Sequence, residues 1–242
     1  MRVAVLGAGR LGTALAASLV AAGLDAIGPV GRGEIGRLMA ERLTVVMLCV
    51  PDASIATVAA KFPPEQRLGH CSGALGLDVL GRRSGLSLHP LTSLTGAEAS
   101  LAGVGAALDA TDTEALTVAQ SLARSLGMRP FRIASEDRAA YHAAASCAAN
   151  FLVTVEAAAE RIAATAGVSR DLLVPLVRAA VENWATLGPE RALTGPIARG
   201  DVGTVARQRE ALTERTPELV ALFDALVQAT EDLARAARAV TA

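Results

Sequence analysis

This chain has few aromatic residues, a single lysine and almost no net charge. Phe, Trp and Tyr make up 2% of the 242 residues, although 52% are hydrophobic, and alanine supplies much of that fraction. This composition argues against an aromatic-rich β protein and favours helices that pack closely through small side chains. The formal net charge is −1, so no field of one sign favours binding to nucleic acid or to a membrane surface. Lys61 is the only lysine, which excludes a catalytic lysine at every other position.

Cysteine and histidine are also few and widely spaced. Cys49, Cys71 and Cys147 are odd in number and form no C-x-x-C pair, which predicts buried thiols in a reducing cytoplasm. The histidines lie far apart and match no metal-ligand spacing, so we predict no metal site. Arg10 interrupts the apolar N-terminus, which argues against a signal peptide. The longest mostly apolar run, residues 13–30, contains Gly, Asp and Pro, so we expect no membrane span.

The N-terminus carries the most informative motif. Residues 3–6 form an apolar strand pattern, a glycine turn follows, and an Ala/Leu-rich helix pattern begins next. In such a junction Gly7 permits the tight turn, Gly9 lets the backbone approach a pyrophosphate, and Gly12 lets the helix pack near the strand. The alternative is a glycine turn with a structural role alone. The sequence therefore predicts a dinucleotide site that includes Gly7, Ala8, Gly9, Arg10, Leu11 and Gly12.

The end of the second predicted strand bears on the choice of cofactor. In a dinucleotide-binding fold an acidic residue there binds the ribose 2′-hydroxyl of NAD, whereas an arginine pairs with the 2′-phosphate of NADP. This chain has Arg32 after the strand at residues 25–30, with Glu34 close by. We therefore predict NADP rather than NAD, the alternative being that Arg32 is a solvated loop cation.

Strand and helix patterns alternate up to about residue 134. Predicted strands cover residues 3–6, 25–30, 44–50, 67–71, 86–89, 104–108 and 128–133, and a helix is marked at residues 112–126 by a capping-box pattern that begins at Thr111. This alternation is typical of an α/β fold with a doubly wound, mostly parallel sheet. Residues 135–242 show only helical patterns. We predict a dinucleotide-binding Rossmann domain at residues 1–134 and an all-α domain at residues 135–242.

Several side chains stand where predicted strands end, at the edge where open α/β sheets bind ligands. Val50 and Pro51 follow the third strand and are predicted to lie over the nicotinamide, while Asp52 is predicted to cap the next helix. Ser72 follows the fourth strand and His89 ends the fifth. A histidine there suits the proton transfer that accompanies hydride transfer, because its ordinary pKa lies near working pH, and Ser72 would bind the same oxygen. A core or capping role is the alternative for His89.

A polar stripe marks the long helix pattern that begins after Ser135. His142, Ser146 and Asn150 are spaced i, i+4 and i+8, so they would share one face of an alanine-rich helix. Such a stripe suits a ligand cleft, or alternatively a set of helix–helix hydrogen bonds.

Two glycines and a proline punctuate residues 192–201, between long helix patterns. Arg199 in this loop is a candidate ligand for a substrate carboxylate through its bidentate guanidinium, and Asp201 is predicted to cap the next helix. The alternative is a simple helix–helix connection.

Together these stretches resemble a known family, the Rossmann-like proteins that carry a helical C-terminal domain of unknown function 2520. The matching motifs are Gly-Ala-Gly-Arg-Leu-Gly at residues 7–12, Val-Pro-Asp at 50–52, His-Cys-Ser-Gly at 70–73, His-Pro-Leu at 89–91, Tyr-His-Ala-Ala through Asn at 141–150, Leu-Thr-Gly-Pro at 193–196 and Arg-Gly-Asp at 199–201. The resemblance covers essentially the whole chain. It implies kinship with 6-phosphogluconate, prephenate and 3-hydroxyisobutyrate dehydrogenases, pyrroline-5-carboxylate reductase and ketopantoate reductase. Those enzymes join an NAD(P) domain to a helical domain that usually forms the dimer.

The resemblance also suggests roles for individual residues. Prephenate dehydrogenases use a serine after the fourth strand and a histidine in a His-Pro motif, and Ser72 and His89 are similar in context. Hydroxyacid dehydrogenases and ketopantoate reductases place a catalytic lysine one helical turn before an asparagine. Here the asparagine corresponds to Asn150, but Ser146 stands at the lysine position, so that mechanism does not transfer directly. His142, one turn earlier, is a candidate substitute.

The sequence and the resemblance lead to one main expectation, a cytoplasmic, homodimeric NADP-dependent oxidoreductase acting on a small carboxylate-bearing substrate. A 2-keto or 2-hydroxy acid similar to ketopantoate ranks first, on the resemblance alone. His89 or His142 would handle the proton, Ser72 and Asn150 would orient the reacting group, and Ser146 and Arg199 would contact the substrate. The alternatives are an NADP(H)-binding sensor without turnover and, less favoured, a scaffold with a vestigial glycine turn.

Overall fold

A computed structural model describes residues 1–96 and 100–241 of the chain. The strands are β1 (Arg2–Leu6), β2 (Asp25–Val30), β3 (Val45–Leu48), β4 (Leu68–His70), β5 (Gly85–Leu91), β6 (Gly105–Ala110) and β7 (Arg129–Arg132). The helices are α1 (Arg10–Ala21), α2 (Ile35–Met39), α3 (Asp52–Ala59), α4 (Thr113–Ser125), α5 (Arg138–Ser146), α6 (Leu152–Ala164), α7 (Arg170–Leu187), α8 (Pro189–Ala192), α9 (Pro196–Arg199), α10 (Val202–Arg215) and α11 (Val220–Thr241). Short 3₁₀ turns occur at Arg32–Glu34, Leu77–Leu80, Ser135–Asp137 and Pro217–Leu219.

The strands form one sheet in the order β2-β1-β3-β4-β5-β6-β7. Neighbouring strands are parallel except β5 and β6, which pair antiparallel. The predicted α/β fold with a doubly wound, mostly parallel sheet is therefore confirmed, and so is the helical region after it. The strand order changes direction between β1 and β3, because β2 lies outside β1 while β3 lies on its other side. In open α/β sheets this switch point is where a crevice for ligands opens.

The central strands are buried on both faces, as their continuous apolar runs predict. Val3 and Val5 of β1 pack with Leu15 of α1 in the core on one face of the sheet. Leu6, which points to the other face, packs in a second core with Leu38 of α2. Burial on both faces fixes the strand ends that carry the candidate site.

By its internal contacts the chain divides into two compact units, Met1–Ala149 and Asn150–Ala242. The first unit holds the sheet together with residues 135–149, and the second consists of helices. The domain boundary after residue 134 stays a prediction, and it differs from the division of the compact units because α5 packs in the first of them.

Two predicted helix caps are shifted by one residue. Asp52 is the first residue of α3, and Pro51 takes the cap position. The Asp112 side chain, rather than Thr111, caps α4 by accepting a hydrogen bond from Ala115 N–H at 2.8 Å. The capping-box prediction for Thr111 is therefore wrong, because α4 begins one residue later and Asp112 takes the cap position.

In the second unit the predicted cap at Asp201 is confirmed. Its carboxylate accepts from Thr204 N–H at 3.0 Å and from the Thr204 hydroxyl at 2.7 Å at the start of α10. Pro175 lies inside the continuous helix α7, near its beginning. No helix in the described part of the chain is both long and apolar enough to cross a membrane.

Candidate active site

The glycine turn after β1 is shaped by two close backbone contacts. Gly7 has φ +120°, and a Cβ there would lie 2.2 Å from the carbonyl oxygen of Cys49. A Cβ on Gly12 would lie 1.8 Å from the carbonyl oxygen of Gly7. Both positions therefore require glycine for the packing of the turn against α1 and β3, independently of any ligand.

Gly9 is different, because a Cβ there would meet no protein atom within 4 Å. It takes the cap position of α1 without a side-chain hydrogen bond, and its φ is −76°. The first helical hydrogen bond runs from Thr13 N–H to the Gly9 carbonyl at 2.9 Å, so the amides before Thr13 lie outside the hydrogen bonding of the helix. An open backbone beside free amides and the positive end of a twelve-residue helix suits a phosphate group.

A cavity of about 490 Å³ opens beside this turn, at the switch point between β1 and β3. Its size falls in the usual range for small-molecule sites, roughly 300–1,000 Å³. Several predicted site residues border it, namely Gly9, Arg10, Leu11, Val50, Pro51, Ser72 and His89. The structure thus brings the glycine turn and the ends of β3, β4 and β5 around one space. The roles assigned to these residues remain predictions.

Arg32 follows β2, where the adenosine ribose of a dinucleotide would bind. Glu34, the nearby acidic residue, accepts a hydrogen bond from Gly31 N–H at 3.1 Å and pairs with Arg37 at 3.3 Å. Arg32 itself is exposed, and it forms no hydrogen bond or ion pair with another described residue. The Glu34 carboxylate is therefore hydrogen-bonded within the turn, while the nearby Arg32 guanidinium is exposed and unpaired among the described residues.

Ser72 is buried, and its hydroxyl is fully hydrogen-bonded. It donates to Asp52 Oδ2 at 2.6 Å and accepts from Ala74 N–H at 3.2 Å and Leu75 N–H at 3.1 Å. A hydroxyl has one proton and two acceptor lone pairs, so no capacity is left. A substrate oxygen could reach Ser72 only by displacing one of these partners. The contact fixes the Asp52 carboxylate, which borders the cavity and which the sequence analysis assigned only to capping.

His89 is half-buried between the cavity and helix α5. Its Nδ1 lies 2.6 Å from the hydroxyl oxygen of Tyr141, and the two rings meet edge to face at 88°. Burial, helped by the neighbouring His142 and Arg138 and opposed by Asp52, lowers the pKa of His89 to about 4. The expectation that His89 titrates near working pH is therefore wrong. At neutral pH the ring is uncharged, because the surrounding protein disfavours the imidazolium.

Tyr141 and Arg138 belong to this group, although the sequence analysis gave them no role. The Arg138 side chain is 1% exposed, and its Nη1 donates to the Ser72 carbonyl oxygen at 3.3 Å. Its Nη2 lies 3.9 Å from Asp109 Oδ2. A buried guanidinium is rare, and here it joins β6 and the loop after β4 to the first turn of α5. The signal in the sequence was the arginine three residues before Tyr141, but its burial is decided by packing.

His70, one strand position before Cys71, has a structural role. Its Nδ1 accepts from Ser72 N–H at 3.2 Å, and its Nε2 lies 3.1 Å from the Gly76 carbonyl oxygen, which can only accept. Both ring nitrogens are thus used to hold the loop 71–76. Burial, then the positive charge of Arg138, lowers the pKa of His70 to about 4.

This shift predicts a loss of stability in acid. The unfolded chain binds a proton at His70 near the ordinary pKa of 6.5, whereas the native protein does not until about pH 4. The contribution of His70 is therefore fully present above about pH 6.5 and is lost as the pH falls toward 4. We expect the free energy of unfolding to fall by about 2 kcal/mol from this group between about pH 7 and pH 5. Urea unfolding at a series of pH values measures it. A His70→Gln variant should show a flatter dependence, and equal slopes in the two proteins would contradict the assignment.

The cysteines follow the predicted pattern in part. Cys49 and Cys71 directly follow β3 and β4, and their Sγ atoms lie 3.8 Å apart beside the cavity. A hydrogen bond with Cys49, together with burial, raises the pKa of the Cys71 thiol. Cys71 is buried and Cys49 half-buried, whereas Cys147 is exposed, so the prediction of a buried thiol is wrong for Cys147. Small alanine neighbours on a helix surface leave that thiol open to solvent.

The predicted stripe on the long helix is interrupted. Residues Cys147–Phe151 form a π-helical segment, so the spacing argument that placed Ser146 and Asn150 on one face does not hold. His142 is exposed and lies near His89, with ring centroids 6.5 Å apart. Ser146 is half-buried and Asn150 is exposed. Arg199 ends the short helix α9 and is exposed. The roles of these four residues stay predictions.

Within residues 1–96 and 100–241, no group of three or more His, Cys, Asp or Glu side chains is placed to hold a metal ion. The group beside the cavity is instead a set of proton donors and acceptors: Asp52, Ser72, His89 and Tyr141. Such a set, with the Ser72 hydroxyl already saturated, lies beside a helix terminus that suits an anion and is of the kind that supports proton transfer.

Solved structures with the same fold cover nearly the whole chain. A Bacteroides fragilis protein assigned as an NADP oxidoreductase matches with a TM-score of 0.79 at 20% identity, over 96% of this chain and 98% of that one. Protein TM1727 from Thermotoga maritima matches with a TM-score of 0.78 at 26% identity, over 98% and 99%. A 1-pyrroline-5-carboxylate reductase from Streptococcus pyogenes matches with a TM-score of 0.63 at 18% identity, over 98% of each chain. The chain thus shares the Rossmann-like fold with a helical C-terminal domain.

The comparison of sequences gives the family. No curated protein matches the chain. The family model for a domain of unknown function, DUF2520, matches residues 104–230, which is more than half of the chain. The resemblance drawn from the motifs is confirmed, and this protein belongs to the DUF2520 family.

Proposed function

We propose that this protein is an NADP-dependent oxidoreductase. The observation that carries the proposal is the cavity at the switch point, which is bordered by the glycine turn and by His89 and Asp52. The open backbone at Gly9 fits a pyrophosphate, and no side chain of the described residues fills that space. When bound, the nicotinamide of such a cofactor gives or takes a hydride. The chain then has to supply binding, orientation and a proton, and the residues at the cavity are of the types that do so.

NADP is favoured over NAD by the residues after β2. Glu34 accepts from Gly31 N–H and pairs with Arg37, so its carboxylate is held in the turn and its charge is already paired. Arg32 is exposed and free to pair with a 2′-phosphate. The name of the Bacteroides fragilis neighbour is consistent with this choice.

Removing the guanidinium of Arg32 tests the cofactor. We expect wild-type protein to bind NADPH more tightly than NADH, and Arg32→Ala to weaken NADPH binding about tenfold with little change for NADH, because only NADPH carries the phosphate. Dissociation constants from nicotinamide fluorescence measure both. Arg37→Ala is the matched control, since that arginine is already paired with Glu34 and should matter less. Tighter binding of NADH by the wild-type protein would refute the assignment.

For the substrate we propose a small molecule with a carboxylate, with a 2-keto or 2-hydroxy acid similar to ketopantoate as first choice. His89 or His142 would handle the proton. Asn150 would orient the reacting group, and Ser146 and Arg199 would contact the substrate. Ser72 would contribute by fixing Asp52, because its hydroxyl is already saturated.

A panel of keto acids, imines and hydroxy acids tests the proposal, with consumption or production of NADPH as the readout. Turnover of a member of the panel supports the oxidoreductase. Tight NADPH binding without turnover of any member would instead favour the alternative, a sensor that binds NADP(H) without reaction. Absence of NADPH binding would exclude both and leave a scaffold with a vestigial turn.

We also infer a homodimer formed through the helical unit. Helices α6 and α7 expose large apolar side chains that a monomer would leave in water: Val153 is 69% exposed, Leu172 65%, Leu176 68% and Trp184 59%. A groove of about 480 Å³ runs between these helices and is lined by five apolar and four charged residues. Several large apolar side chains exposed on neighbouring helices are typical of an interface, and a second copy of the same chain is the partner that is always present.

A charged residue in this face should separate the subunits. We expect Leu176→Glu to convert a dimer into a monomer, because the dimer would bury the introduced carboxylate without a partner. Sedimentation or light scattering gives the mass. Val202→Glu is the matched control, since Val202 is equally exposed at 75% but begins α10. A wild-type protein that is monomeric at micromolar concentration would contradict the inference.

A further inference from the structure

Tyr141 and His89 form a hydrogen-bonded pair in which His89 borders the cavity. The Tyr141 hydroxyl lies 2.6 Å from His89 Nδ1, which is a short hydrogen bond. The other side of the Tyr141 ring packs against Phe131, with centroids 6.0 Å apart. The tyrosine is therefore held in place by its ring while its hydroxyl meets the histidine.

The opposite nitrogen of His89 faces the other way. A Cβ built on Gly73 would lie 2.9 Å from His89 Nε2 and 2.9 Å from His142 Cδ2, so the two histidine rings close around this glycine. Nε2 has no hydrogen-bond partner among the described residues, and His89 borders the cavity. One nitrogen is thus committed to Tyr141, and the other is left for a ligand.

The charge states of the two groups fix the direction of the hydrogen bond. Burial lowers the pKa of His89 to about 4, and burial raises the pKa of Tyr141. At neutral pH both groups are uncharged, so one proton lies on each. An imidazole nitrogen accepts a hydrogen bond more readily than a phenol oxygen does, and a phenol is the better donor. The arrangement with Tyr141 donating to Nδ1 leaves the ring proton on Nε2, the nitrogen that has no hydrogen-bond partner among the described residues.

We propose that Tyr141 and His89 form a proton relay, in which Tyr141 replaces at Nδ1 the proton that His89 gives up at Nε2. This rests on the proposed function, in which a substrate carbonyl receives a hydride and its oxygen becomes basic. The Nε2–H bond breaks as the substrate O–H bond forms, and the Tyr141 O–H bond breaks as the Nδ1–H bond forms. His89 stays neutral throughout, and Tyr141 is left as phenolate. After the product leaves, a proton from solvent binds at Nε2 as the Nδ1 proton returns to Tyr141, which restores the starting state.

The surroundings of the pair agree with this direction. Burial raises the pKa of Tyr141, and Arg138, one helical turn earlier on α5, opposes that rise with a buried positive charge that stabilises the phenolate. His142 from the same helix and Arg138 both disfavour a charged His89, and Asp52 from α3 opposes them. A relay passes the proton on without forming the imidazolium that these neighbours resist. Tyr141 acts through His89 and is therefore a positioning residue rather than a group that touches substrate.

The composition of the chain makes the relay measurable. The sequence contains three histidines and one tyrosine, so nitrogen-15 spectra of the imidazole rings show three sets of signals. The set that is missing from the spectrum of a His89→Gln variant belongs to His89. In the protein without any cofactor or substrate we expect His89 at about pH 7 to carry its proton on Nε2. In Tyr141→Phe, which keeps the ring but loses the hydroxyl, we expect a mixture of both tautomers.

The kinetic arm uses the same variants. We expect Tyr141→Phe to lower kcat by about tenfold or more at unchanged KM for NADPH, because the proton is no longer replaced. Phe131→Leu is the control, since it loosens the packing of the Tyr141 ring but keeps the hydroxyl, and it should leave the tautomer as in wild type. A wild-type His89 protonated at Nδ1 would overturn the relay, and so would a Tyr141→Phe variant with wild-type kcat. The ring spectra need neither cofactor nor turnover, so failure of the proposed oxidoreductase function is seen separately in the substrate panel.

Discussion

Gly9→Ala is expected to fold like the wild-type protein and to bind NADPH about tenfold or more weakly, whereas Gly12→Ala is expected to be strongly destabilised. The two substitutions add the same methyl group to the same turn. At Gly9 the new Cβ meets no protein atom within 4 Å, and the φ of −76° is ordinary for alanine. It would fill the space into which a pyrophosphate has to come, so affinity alone should suffer.

At Gly12 the added Cβ would lie 1.8 Å from the carbonyl oxygen of Gly7, which is far shorter than any non-bonded contact between a carbon and an oxygen atom. Relief requires α1 to move away from β1, and the core around Leu15 would open with it. We expect the free energy of unfolding to fall by about 3 kcal/mol or more. Urea unfolding followed by circular dichroism separates the two variants, and NADPH titration then measures the folded one. A Gly9→Ala protein that binds NADPH as the wild type does would contradict the phosphate position.

The second large effect is expected at His89. His89→Ala should lower kcat by about a hundredfold or more, while the dissociation constant for NADPH stays nearly unchanged. The reason is that His89 borders the cavity and its Nε2 has no hydrogen-bond partner among the described residues, whereas the glycine turn that would bind phosphate is a separate part of the cavity lining. Single-turnover and steady-state rates on the substrate found in the panel measure the loss.

His142→Ala is the matched variant, because it removes the other histidine proposed for the proton. His142 is exposed, and its ring lies beside Gly73, next to the ring of His89. We therefore expect a smaller loss of kcat. The reverse order of the two losses would transfer the role to His142. A His89→Ala protein that loses NADPH binding to the same extent as kcat would show that His89 supports the cavity rather than the reaction.

Much of the first unit was predictable because its signals are local. Each predicted strand is present, and β2 has the predicted bounds, since a run of apolar residues flanked by turn residues has few other ways to satisfy its backbone in a buried sheet. The glycine turn follows from the same patterns. The sequence predicted that β5 ends at His89, whereas the strand continues for two more residues to Leu91. The cap at Asp201 was predictable for the same reason, because a cap depends on residues within one turn of it.

Contacts between distant segments were not predictable. The hydrogen bond of Ser72 with Asp52 joins two strand ends, and the hydrogen bond of His89 with Tyr141 spans 52 residues of sequence. The sequence predicted a titrating His89, but the burial that lowers its pKa comes from α5 packing beside it. The π-helical segment at Cys147–Phe151 likewise breaks a spacing argument that a regular helix would have satisfied.

By itself, then, the sequence determined the order and type of the elements, the glycine turn and the family, because hydrophobic period, glycine placement and motif spacing are properties of neighbouring residues. The tertiary structure decided which side chains meet at the cavity: that Ser72 is saturated by Asp52 and two amides, that Arg138 is buried, and that Tyr141 reaches His89. The physical reason is that charge state and hydrogen-bond capacity depend on burial and on partners far along the chain. Only packing brings those partners together.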